Sequence, residues 1–172
     1  GGTMRIAKTL VRLKERYGSR VRLLIGNRDA NKMRITSELD PSQLSHQMLD
    51  KIPGPYWVPE SKRVSPRKYL VKLAAGPDGA VPPEPDAAAL RALNTPFNRL
   101  RWMLAETMGA AGDEERRRTE LSAVSNGRAI SDDEVVESYT ASVAAGGWMR
   151  RYLELAELAV LLNGTLYTHG GL

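Results

Sequence analysis

Two short apolar runs lie near opposite ends of this 172-residue chain, Val21-Arg22-Leu23-Leu24-Ile25 and Thr165-Leu166-Tyr167-Thr168. Each runs into a polar loop that contains glycine: Gly26-Asn27-Arg28-Asp29 after the first, His169-Gly170-Gly171-Leu172 after the second. β-Branched and leucine runs bounded by turn residues read as strands. Most of the sequence between them carries a helical pattern, so the fold must return the second strand across a long helical stretch. In open α/β sheets, ligands sit outside the carboxyl ends of the strands. The expected fold class is therefore α/β.

Composition narrows the chemistry. There is no cysteine, which excludes disulfides, thiolate metal sites and thiol nucleophiles. There are two histidines, His46 and His169, so no site built on three imidazoles can come from this chain alone. The net charge of +5 leaves 25 basic residues mixed with 20 acidic ones. That is a mild bias towards anionic partners and does not point to nucleic acid. The apolar stretch at 153–162 is interrupted by Glu154 and Glu157 and is too short for a membrane span. No apolar signal segment follows Gly1-Gly2-Thr3, which favours an intracellular location.

Local signals divide the chain further. Residues 4–17 read as an amphipathic helix with Ile6, Leu10, Leu13 and Tyr17 on one face and Gly18 closing it. Residues 31–50 read as mostly helical. Three prolines between Ile52 and Pro59 exclude a regular helix there. Residues 67–75 suggest one more short element, and residues 76–86 form a Pro/Gly-rich linker. Asp86 caps a helix over 87–93, and Thr95 caps another with Pro96 in its first position. Phe97, Leu100, Leu104 and Met108 form its apolar stripe. The stretch from Gly109 to Gly127 reads as a solvated mixed-charge loop around Arg116-Arg117-Arg118. Ser131 and Glu134 form a capping box for a helix carrying Val135, Tyr139 and Val143, broken at Gly146-Gly147. Residues 148–162 read as an apolar helix closed by Asn163-Gly164, with Trp148, Tyr152, Leu155, Ala159 and Leu162 as core. His46 reads as a surface histidine. The basic residues around Tyr56 and Trp57 read as an extended arm on a partner more readily than as a nucleic-acid surface.

Leu23-Leu24-Ile25-Gly26-Asn27-Arg28-Asp29 resembles the G-N-H-[DE] block of the calcineurin-like metallophosphoesterases. Leu166-Tyr167-Thr168-His169-Gly170-Gly171-Leu172 resembles the h-x-H-G-G-L block of their serine/threonine phosphatase branch, and the two blocks follow the family's order. The resemblance implies a two-sheet α/β sandwich. It also implies two divalent ions of Mn, Fe or Zn type, bridged by an aspartate and activating a water. Carried over, Asn27 and His169 are ligands of one metal, and Asp29 closes the motif. Arg28 stands where the family has a histidine. A guanidinium is a poor general acid but can bind phosphate oxygens bidentately. The D-x-H, G-D-x-x-D and G-H-x-H blocks are not found in the chain.

The resulting expectation is a partial metallophosphoesterase-like α/β sandwich in three segments. Residues 1–42 form a helix–strand–loop unit of the core. Residues 43–149 form a large, mainly helical insertion. Residues 150–172 return to the core as helix, strand and loop. The parent activity implied is metal-dependent hydrolysis of phosphate esters, with the chain inactive alone and completed by a protein partner or the remainder of a longer polypeptide. The alternative is a degenerate phosphatase-like subunit, without metal, in a larger protein assembly.

Overall fold

The structure, a computed structural model, describes residues 2–75 and 85–170. In chain order the helices are α1 (Thr3–Tyr17), α2 (Asn27–Ala30), α3 (Arg34–Glu38), α4 (His46–Leu49), α5 (Pro66–Ala75), α6 (Ala87–Leu93), α7 (Pro96–Trp102), α8 (Asp113–Val124), α9 (Asp132–Val143) and α10 (Trp148–Leu155). The strands β1 (Ala159–Leu162) and β2 (Thr165–Thr168) close the list. Two compact units emerge: Gly1–Thr36 with Glu115–Leu172, and Ser37–Glu114.

The α/β sandwich expectation is overturned. Among the described residues the one sheet is the antiparallel pair β1–β2, and helices dominate the rest. Residues 21–25 do not become a sheet strand. They contribute one isolated parallel bridge, Leu24 to Glu157. Asn163-Gly164 adopts φ 49° and φ 77°. That is the left-handed pair demanded by a two-residue hairpin turn. It pairs Leu162 with Thr165 and Ala159 with Thr168, which draws 159–162 into a hairpin strand. The expected helix over 148–162 therefore stops at Leu155. Ala159 and Leu162 are exposed, outside the core expected for them.

In the first unit α1 packs on α10, and α10 on α9. α1 buries Met4, Ala7 and Val11, while Ile6 and Leu13 of the expected stripe face outward. Both sets have helical spacing, and contact with α10 selects the former. No acidic residue lies in the first turn of α1. Glu120 of α8 takes that role, accepting from the Met4 N–H at 3.1 Å and the Arg5 N–H at 3.2 Å. α8 itself corrects the loop expected at 109–127. Its outward face shows no apolar stripe, but Asp113, Glu114 and Glu115 stand in its first turn, where the helix dipole favours acids.

The local caps occur as expected. Asp86 accepts from Ala89 N–H (2.7 Å) and Thr95 from Asn98 N–H (3.2 Å). Ser131 and Glu134 cap each other reciprocally at the start of α9, where Val135, Tyr139 and Val143 are buried. Phe97, Leu100, Leu104 and Met108 are buried too, the last turn winding as a π-helix over Met103–Thr107. In the second unit, Leu49, Leu70 and Leu90 form a core that joins α4, α5 and α6. Residues 31–50 are only partly helical, as α3 and α4 with turns between. The Arg63 guanidinium donates to Val58 O (2.7 Å) and Tyr56 O (3.0 Å), which ties down the proline-rich stretch. Most of the linker expected at 76–86 lies outside the described residues.

Two predictions follow from these contacts. A Cβ at Gly147 would stand 2.3 Å from the carbonyl oxygens of both Ala141 and Ser142, the backbone that ends α9. Gly147→Ala should destabilise the protein by more than ~2 kcal/mol and lower Tm by about 5 °C or more, read by thermal denaturation. Gly146→Ala meets open space but pays for a φ of 78°, so its effect should be smaller. At the start of α9, hydrogen bonds from Arg128 and from the Ser131 N–H hold the Glu134 carboxyl down from the ordinary glutamate value of 4.5 to about 2. A depressed carboxyl pKa stabilises the fold above the unfolded value and loses that contribution as pH falls. The α9 cap should therefore weaken as pH falls from about 4.5 towards 2. A carboxyl ¹³C titration should show Glu134 as an outlier below the other glutamates.

Candidate functional site

The site is assembled by register. Glu157 donates its N–H to Leu23 O (2.8 Å) and accepts the Ile25 N–H (3.0 Å). Two residues on, Ala159 pairs with Thr168. Residues just after 25 therefore fall beside residues just after 168, although 142 positions separate Asn27 from His169. The Tyr152 hydroxyl donates to Leu24 O at 3.2 Å, and an Arg22–Glu157 ion pair flanks the bridge.

At the end of this extended segment Gly26 is the N-cap of the single turn α2. The Asp29 carboxylate accepts the Gly26 N–H at 2.9 Å, and Gly26 O accepts the N–H groups of Asp29 and Ala30 at 3.0 and 3.1 Å. Asp29 thus fixes the turn that presents Asn27. From the other side His169 leaves β2, and its Nε2 lies 3.2 Å from Asn27 Oδ1. The ring lies against Gly26: a Cβ there would be 2.8 Å from Cε1 and 3.0 Å from both ring nitrogens. Asn27, Arg28 and His169 are exposed, and the Arg28 side chain makes no hydrogen bond or ion pair among the described residues. Burial raises the Tyr152 hydroxyl pKa above its ordinary value, and the neighbouring Asp29 charge adds to that.

The four sequence-derived site residues thus share one place: Asn27, Arg28 and Asp29 on one turn, with His169 against it. Gly171 and Leu172 lie outside the described residues. His46 begins α4 in the second unit. The pair suits a divalent ion in part. Two ligands ~2.1 Å from one ion at a right angle stand about 3.0 Å apart, close to the observed spacing. An amide oxygen and an unprotonated imidazole nitrogen facing each other need a proton or a cation between them. Further donors are not at hand, because no cluster of three or more His, Cys, Asp or Glu side chains able to hold a metal occurs among the described residues.

Sequence reasoning also misplaced a buried charged side chain, Arg117. Assigned to a solvated loop, it lies buried at 3% exposure on α8, with its guanidinium 4.1 Å from the Tyr139 ring and 5.1 Å from the Trp148 ring. The acidic first turn of α8 was the available signal that this stretch is helical.

A scan against protein-family models gives no match, and comparisons with curated proteins and with solved structures give no significant one. No helix among the described residues is long and apolar enough to cross a membrane.

Gly26→Ala should push the exposed imidazole off the turn while changing stability by less than ~1 kcal/mol. The NOE between His169 Hε1 and the residue 26 Hα, present in the unsubstituted protein, should disappear. Its persistence would show that the ring does not pack on Gly26.

Proposed function

We propose that the Asn27–His169 pair belongs to the metal and phosphate site of a metal-dependent phosphoesterase. What supports this reading is the pair's placement, 3.2 Å apart, at the end of an extended segment and the end of a strand. It agrees with the ordered resemblance of the two loops to the family's blocks. Asn27 Oδ1 and His169 Nε2 hold the ion. A divalent ion there supplies Lewis acidity to a phosphoryl oxygen and lowers the pKa of bound water. Asp29 keeps the loop in shape through the Gly26 N–H. Arg28, exposed on the same turn, binds phosphate oxygens through its fork of N–H donors and stays charged, so it orients substrate and does not donate a proton. Two protein donors are fewer than a divalent ion takes. The others come from water, from the phosphate or from protein outside the described residues, and the chain alone is not expected to turn over substrate.

A second reading, a phosphatase-like subunit of a protein assembly, is favoured by one observation. The hairpin exposes Leu161 and Leu166 on one face and Leu162 and Tyr167 on the other. A two-stranded hairpin with exposed apolar side chains on both faces suits cover by another protein surface.

Substoichiometric Mn²⁺ separates the two. Proton NMR should show broadening of His169 Hε1 and the Asn27 side-chain amide, with His46 as the internal control. Asn27→Ala should reduce the broadening at His169. Equal broadening of both histidines, or broadening indifferent to Asn27→Ala, would remove the metal reading and leave the structural one.

A further inference from the structure

The first unit contains a pocket of about 310 Å³, walled by α1, the α2 turn, α8, α9 and α10. Ligand pockets begin near this size. Its walls are mainly apolar, from Ile6, Ala7, Leu10, Trp148 and Met149. Arg117 also lines it, 3% exposed.

Arg117 donates from Nη1 to Ser138 Oγ (3.0 Å) and Ser138 O (3.4 Å) and lies over two aromatic rings. It has no carboxylate partner among the described residues. The other charged groups on the pocket are Asp29 and Lys32, with the phenols of Tyr139 and Tyr152 beside them. The Asp29 carboxylate accepts the Gly26 N–H, and Asp29 and Lys32 carry opposite formal charges. The formal charges of the lining sum to +1, and the Arg117 side chain that carries the surplus is 3% exposed. A buried cation is costly unless it is paired, and ring faces offset only part of that cost. A guanidinium with donors to spare beside an apolar wall is the arrangement that recognises an oxyanion attached to an apolar body.

We propose that this pocket binds a small organic anion, a carboxylate or a phosphate ester with an apolar or aromatic body. The oxyanion pairs with Arg117, and the body lies against Ile6, Leu10 and Trp148. The proposal does not rest on the metal reading, since neither Asn27 nor His169 lines the pocket.

The test titrates the chain with benzoate, phenyl phosphate and neutral benzyl alcohol, following the Trp148 indole and the Arg117 guanidinium by ¹H–¹⁵N NMR. At least one anion should give a saturable shift, with the alcohol at least about tenfold weaker. A response to one anion only identifies the head group. Arg117→Gln should abolish the preference for the anion. Because that change could unfold the unit, Ile6→Glu provides the second arm. Ile6 is 56% exposed, so the fold should survive, as circular dichroism would show, while the added carboxylate weakens anion binding about tenfold. An equal response to the alcohol, indifference to Ile6→Glu in the folded variant, or no saturable response to either anion up to about 10 mM would overturn the proposal.

Discussion

Glu157 exchanges both of its backbone hydrogen bonds with the segment 23–25, and the candidate site depends on that exchange. It is the one strand-like pairing that segment makes among the described residues. The Tyr152 hydroxyl on Leu24 O and the Arg22–Glu157 ion pair reinforce it from two sides. The ion pair is about one-third exposed at each end, so its contribution is small against the backbone bonds. Because β1 starts two residues after Glu157 and β2 returns antiparallel to it, the register carries through to His169. A slip of one residue would turn that side chain to the other face of the hairpin. Proximity of Asn27 and His169 is thus a property of backbone pairing, to which the two side chains themselves add one exposed contact.

The parts of the fold legible in the sequence are those whose cause is local. Asp86, Thr95-Pro96 and Ser131 with Glu134 cap helices because a side-chain oxygen three residues from an unpaired N–H finds it whatever else the chain does. Asn163-Gly164 is local too, yet ambiguous. The same dipeptide ends a helix or turns a hairpin, and pairing of 157 with 23–25 decides between them by fixing the chain before it as extended. α8 was hidden for another reason. Its first turn is capped by acids, but no apolar periodicity marks a buried face, because one of the groups it buries is a charge, Arg117. On α1, two stripes have valid spacing, and only α10 distinguishes them. The neighbourhood of Asn27 and His169 had no periodic signature at all. It was legible only through the order of two loop motifs.

Two buried arginines show how differently one charge can be placed. In the second unit Arg99 is 1% exposed, and its Nε and Nη1 have no hydrogen-bond partner among the described residues. Burial holds its pKa below the ordinary value, and the Glu38 charge opposes that shift only in part. Its guanidinium lies 5.5 Å from the Trp102 ring. Arg117 is nearly as buried but is stacked closer, on two rings, and opens onto a cavity. For Arg99 the cost of an unsatisfied cation is carried by the packing of α7. For Arg117 it can be relieved by something that enters from outside.

Asp29 joins the two places. Its carboxylate fixes the turn that presents Asn27, and it is also part of the wall that Arg117 shares. A carboxylate engaged by a backbone N–H is anchored, so it keeps its place when the charge beside it changes. At the outer side of the turn the balance is reversed. Arg28 brings a positive charge to the turn that carries Asn27, and in the proposed site its fork of N–H donors is the group that fits a phosphate. On the two proposals the turn separates a demand for negative charge at Arg117 from one at Arg28, with Asp29 in the pocket wall.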